Sequence, residues 1–172
     1  MTFTPGVGNP ATDSALGEHI EIWNKATGGG SAIAMGDVVV RTSTTGDCAQ
    51  CSTSSFGEAG VVARLFPNYD ATTATGNINT DSSNQVAVIC GNGAKVYVTA
   101  SGSIPAGSRV GFGATGKVQA FTETNTSIIS STFKVPIGVY EGHYGESEQS
   151  AGTPCTDATN GQVIRIRLGA FG

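Results

Sequence analysis

Apolar and polar residues alternate over short stretches of this chain and seldom run together. In His19-Ile-Glu-Ile-Trp-Asn24 the two isoleucines share one face against His19, Glu21 and Trp23 on the other, the period of a half-buried strand. The same reading predicts further strands at Asp37–Thr42, Gly60–Phe66, Gln85–Cys90, Lys95–Ala100, Ser108–Gly113, Lys117–Phe121, Pro136–Glu141 and Gln162–Leu168. Asn92-Gly93-Ala94 places a glycine turn between two β-branched runs and predicts a hairpin there; a second hairpin turns at Ala114-Thr115-Gly116. Residues 1–17 carry Thr, Gly, Pro and Ala without apolar period and read as an extended N-terminal arm. Residues 18–172 read as one β-rich domain with long polar loops near 43–59, 67–84 and 142–161. Ala34-Met-Gly36-Asp-Val38 and Pro105-Ala-Gly107-Ser-Arg-Val110 look alike, but no repeat of fixed period emerges, so they read as one glycine turn used twice, with an ancient duplication as the alternative that nothing further in the sequence supports.

Composition sharpens this into a fold class. Val and Ile far outnumber Leu, 25 glycines supply turns, and only 13% of the residues are charged, which suits pleated strands and excludes a helical bundle. The expectation is a single compact, mostly antiparallel β-barrel or jelly-roll-like domain behind the arm; 172 residues suffice for a core without staples. Nine basic residues and a pI near 5.0 offer no cationic surface to a phosphate backbone, so no nucleic-acid partner is expected. The longest strictly aliphatic run is Val38–Val40, and the opening residues lack the charged and apolar regions of a secretory signal, so no membrane role is expected either.

The candidate chemistry is thin. Gly111-Phe-Gly113-Ala-Thr-Gly116-Lys117 matches GxGxxG and most of a phosphate-binding loop, but both chemistries need a helix next, and Lys117-Val-Gln-Ala-Phe121 alternates like a strand. Cys48 and Cys51 form one CxxC without a second close pair among Cys90 and Cys155, so no obligatory zinc site is expected and reduced thiols are the default. His19 and His143 sit in no catalytic or metal-binding spacing, and the acidic stretch around Glu141, Glu146 and Glu148 reads as solvated. No GxSxG elbow is present; neither catalytic residues nor a cofactor are expected.

Five segments carry a resemblance: Ala32-Ile-Ala-Met-Gly-Asp-Val-Val-Val40, Ser103-Ile-Pro-Ala-Gly-Ser-Arg-Val110, Gly113-Ala-Thr-Gly-Lys-Val118, Val135-Pro-Ile-Gly-Val139 and Gly161-Gln-Val-Ile-Arg-Ile-Arg-Leu168. In order and turn pattern the chain resembles the capsid decoration, or cement, proteins of tailed bacteriophages. That resemblance implies a non-enzymatic β domain on the outer surface of the phage head, commonly a homotrimer, bridging neighbouring subunits of the major capsid protein. The arm is the expected strap: Phe3 and Val7 can fill apolar grooves, and Pro5 and Pro10 limit the freedom lost on docking. The alternative is a carbohydrate-binding or host-adhesion module, with Trp23, Tyr97 and Tyr144 as its candidate aromatics.

Overall fold

The computed structural model describes residues 19–26, 33–41, 46–55, 57–65, 85–91, 93–122, 136–143 and 155–169. They form ten strands and no helix: β1 (His19–Asn24), β2 (Val38–Arg41), β3 (Cys48–Gln50), β4 (Ala59–Leu65), β5 (Gln85–Cys90), β6 (Lys95–Thr99), β7 (Arg109–Phe112), β8 (Val118–Ala120), β9 (Gly138–His143) and β10 (Val163–Leu168). The protein is all-β, with two five-stranded antiparallel sheets ordered β1-β5-β4-β2-β3 and β6-β10-β9-β7-β8.

The second order is the first repeated, five strands on, and the register repeats with it. Trp23 opposite Val86 and Glu21 opposite Val88 correspond to Val98 opposite Ile164 and Val96 opposite Ile166. Val39 opposite Gly60 corresponds to Val110 opposite Gly138, and Arg41 opposite Cys48 to Phe112 opposite Val118. Even the irregularity recurs: Ala63 is skipped between β4 and β5, and Glu141 between β9 and β10. Each half also carries one parallel bridge from the end of its first strand to the start of its third, Lys25 to Cys48 and Ala100 to Val118. The turns before β2 and β7 match, with Asp37 N–H donating to Ala34 O and Ser108 N–H to Pro105 O, each at 3.1 Å and each with a left-handed glycine, Gly36 or Gly107. The chain is a tandem repeat, where the sequence reading found only a shared turn. Loops of unequal length hide the period: equivalents lie 75 residues apart at Trp23 and Val98, 70 at Cys48 and Val118, and 78 at Val88 and Ile166.

The repeat shares its core. All eight buried members of the smaller cluster, Trp23, Ile33, Val39, Cys48, Val62, Val86, Val88 and Cys90, have an equivalent in the larger one. The halves differ on the opposite face of each sheet. Val38, Val61 and Ile89 are fully buried there and join the larger cluster, so β2, β4 and β5 are apolar on both sides. Their equivalents in the second half are Arg109, Val139 and Arg167, and β10 keeps the alternating pattern of a sheet with one wet face.

Two expectations are corrected. β5 and β6 do not form a hairpin; the glycine turn after Cys90 instead carries the chain from one sheet to the other, and β6 pairs with β10. The loop expected near 43–59 contains β3, a strand with no β-branched residue. The arm at 1–17 and the loop at 67–84 lie outside the described residues; of the loop expected near 142–161, Gly142 and His143 belong to β9, and Thr156 to Asn160 are anchored to the second half. There Tyr140 Oη donates to Thr156 O at 2.8 Å, and Asp157 accepts from Ala106 N–H at 2.8 Å.

Candidate functional site

The most specific geometry lies where the halves meet. The β7–β8 hairpin of the second half reaches into the first and docks between the start of β2 and the residue after β3. Val38 N–H donates to Gly116 O at 2.7 Å, and Gly116 N–H donates to Cys51 O at 3.0 Å. The Cys51 thiol reaches the carbonyls of Gly113 at 3.6 Å and Lys117 at 3.4 Å from the other side. Gly116 adopts φ +70, and a Cβ there would meet the Asp37 carboxyl and Gln50 Cγ. The phosphate-loop look-alike is therefore the clasp between the halves, followed by strand β8 and not by a helix.

Asp37 sits under that clasp. Its carboxylate accepts Ala34 N–H at 2.8 Å and Gln50 Nε2 at 2.7 Å. Burial pushes its pKa above the usual carboxylate value, a shift those hydrogen bonds and the Lys117 charge partly offset.

A second polar group closes one end of the first-half core. The Arg41 guanidinium lies 4.4 Å from the centroid of the Trp23 ring and binds Glu21 at 2.7 Å and Glu58 at 3.0 Å, while Trp23 Nε1 donates to Glu21 at 2.7 Å. The second half places Phe112, Val96 and Val98 at the positions of Arg41, Glu21 and Trp23. What is plain packing in one half is a cation–π and ion-pair cluster in the other, and with side chains half exposed each contact is worth about 1 kcal/mol or less.

The cysteines are reduced. Cys48 faces the first-half core and Cys51 the joint, so the CxxC spacing across β3 sends its two thiols into different clusters. Burial pushes Cys48 and Cys90 up to about 11 and Cys51 up to about 12, which keeps them protonated and poor as nucleophiles or metal ligands at neutral pH. Among the described residues no group of three His, Cys, Asp or Glu side chains could hold a metal ion.

On the outer face of the first sheet, the edge strand β1 presents Ile20 at 56% exposure and Ile22 at 52%. The sequence pattern puts these isoleucines on one face, and the structure buries the other: Trp23 is 1% exposed. The equivalents of Ile20 and Ile22 are Lys95 and Tyr97, so the apolar pair is peculiar to the first half. The expected strap residues Phe3, Pro5, Val7 and Pro10 lie outside the described residues, as does Tyr144. The sequence reading missed both the Arg41 cluster and the exposure of β1. Arg41 opposite a CxxC loop carries no recognisable spacing, and strand alternation by itself does not say which face turns inward. Neither a protein-family model nor a curated protein matches the chain.

Proposed function

We propose that this protein is a structural component of a tailed-bacteriophage virion that binds the outer surface of the head, strapping neighbouring major capsid subunits together as a homotrimer. The observation that carries the reading is the pair Ile20 and Ile22, an exposed aliphatic stripe on the outer face of β1, directly following the segment expected to act as the strap. The resemblance in turn order supports it. So does the build of each half, in which the parallel bridges at Cys48 and Val118 are consistent with small closed barrels that resist distortion. A glycan-binding role has less support, because Trp23 is buried beneath Arg41 and cannot serve as a platform.

The test is saturable binding of the purified protein to expanded, undecorated capsids. Ile20→Ser/Ile22→Ser should leave the fold intact, since both side chains are exposed, and weaken binding about tenfold or more, as expected for losing two apolar anchors. Absence of capsid binding by the unaltered chain overturns the reading.

A further inference from the structure

Asparagine followed by glycine is the dipeptide in which a main-chain nitrogen most easily attacks the preceding side chain, because glycine puts no Cβ in the way. The sequence holds two, Asn92-Gly93 and Asn160-Gly161, and the second lies wholly among the described residues. Its turn, residues 159–162, leads into β10 and is closed by Gln162 N–H donating to Thr159 O at 3.1 Å and Thr159 N–H donating to Gln162 Oε1 at 2.9 Å. Gly161 adopts φ +82, where a Cβ would meet nothing within 4 Å, so the backbone angle and not crowding calls for glycine. The turn runs into a β-bulge: Gly161 N–H donates to Ala100 O at 2.9 Å and Ala100 N–H to Gln162 O at 2.9 Å, so that two residues face one. The side chain is tied down as well, with Asn160 Oδ1 accepting Gly102 N–H at 3.1 Å.

We propose that Asn160-Gly161 is a deamidation site that the native fold keeps shut, and that its conversion, once the second half has opened, bars the chain from refolding. In the reaction the Gly161 amide nitrogen gives up its proton and bonds to Asn160 Cγ; the side-chain nitrogen leaves as ammonia, and a five-membered succinimide remains. Water then adds to one of the two ring carbonyls and breaks its C–N bond, giving either aspartate or isoaspartate, in which the main chain runs through Cβ. No oxidant or reductant takes part. In the folded protein the nucleophile is engaged: its N–H donates to Ala100 O, which opposes loss of the proton and fixes the nitrogen in the sheet. The bond from Gly102 N–H polarises the Asn160 carbonyl and by itself favours attack, so protection rests on the held nitrogen and on the fixed aim of the side chain. Opening this end of β10 removes both restraints together. Isoaspartate adds one main-chain carbon between residues 160 and 161, directly opposite Ala100. That residue is 0% exposed, makes both bulge hydrogen bonds and carries the parallel bridge to Val118. A main chain lengthened there disturbs the β6–β10 pairing and the bridge to β8 at the same point. The inference does not rest on the capsid reading.

The full chain, held at mildly alkaline pH either folded or in guanidinium beyond its unfolding midpoint, tests both parts. Trypsin releases residues 135–165, in which Asn160 is the sole asparagine, so mass spectrometry with chromatographic separation scores Asn, Asp and isoaspartate at one position. The folded sample should convert about tenfold or more slowly than the unfolded one, since reaction requires the open population. Rates within about twofold of each other would show that the fold does not guard the site and would overturn the proposal. When a half-converted unfolded sample is returned to native buffer, isoaspartate should be depleted about threefold or more in the refolded fraction relative to the aggregated one. Asn160→Ser cannot form the ring and should refold undiminished after the same incubation, which separates this lesion from other damage. Equal isoaspartate in the two fractions, or an Asn160→Ser chain that loses refolding as fast as the unaltered protein, overturns the link between conversion and refolding.

Discussion

A Cβ on Gly116 would lie 2.8 Å from the Asp37 carboxyl and 2.9 Å from Gln50 Cγ, on a backbone at φ +70. Gly116→Val is therefore expected to cost about 2–4 kcal/mol, combining left-handed strain with displacement of the hairpin from its seat. Gly46→Val is the matched control, since it carries the strain without the collision, and should cost only about 1 kcal/mol; equal urea midpoints for the two variants would show that the clasp adds nothing. Asp37 gives the joint a pH dependence whose sign follows from its raised pKa. The folded state holds the proton more tightly than the unfolded one, so this contribution is fully present below the ordinary value of 3.8 and is lost as pH rises through the folded value. Relative to Asp37→Asn, the unaltered protein should gain stability as pH is lowered from 7 toward 4, and denaturant titrations at both pH values would detect the opposite trend. The thiols respond to the same burial. At pH 8, Cys48, Cys51 and Cys90 should resist iodoacetamide in the folded protein while half-exposed Cys155 reacts, as mass spectrometry of the alkylated chain would report.

At the scale of the element, alternation and turn glycines marked nine of the ten strands to within about two residues, because Val- and Ile-rich runs between glycines leave few other conformations open. β3 escaped because Cys48-Ala49-Gln50 has no strand-forming side chain; it is held by pairing with Val39, Val40 and Arg41 across the sheet. The glycine turn after Cys90 misled for a related reason. A turn residue licenses a reversal but does not say which strand the chain then pairs with, and β6 finds its partner, β10, far along the sequence. Of the candidate site, only the hairpin at Ala114-Thr115-Gly116 was legible beforehand. That its tip would enter the other half, and that Ile20 and Ile22 would face outward, depends on how the two sheets lie against each other, which no local pattern encodes.

At the scale of the whole molecule, the repeat is unequal, and the inequality says which half depends on the other. Of the nineteen buried residues in the larger cluster, fourteen belong to the second half, and only Val38, Val40, Cys51, Val61 and Ile89 come from the first. The outward face of the second half is carried by Lys95, Arg165 and Arg167, with Glu141 paired to Lys95 at 3.6 Å and to Arg167 at 2.9 Å, so water already suits it. Separation would strip the first half of cover over three valines and an isoleucine, each worth about 1.5–3 kcal/mol of burial, and would leave its smaller cluster of eight to hold the fold alone. Residues 92–172 expressed by themselves should accordingly unfold in a single cooperative transition at modest loss of stability. Residues 1–91 should bind a hydrophobic dye and self-associate, because β2, β4 and β5 then present an apolar sheet face to water. A first half that stays monomeric and melts as cooperatively as the second would mean that the buried face of β2, β4 and β5 is not what couples the two halves.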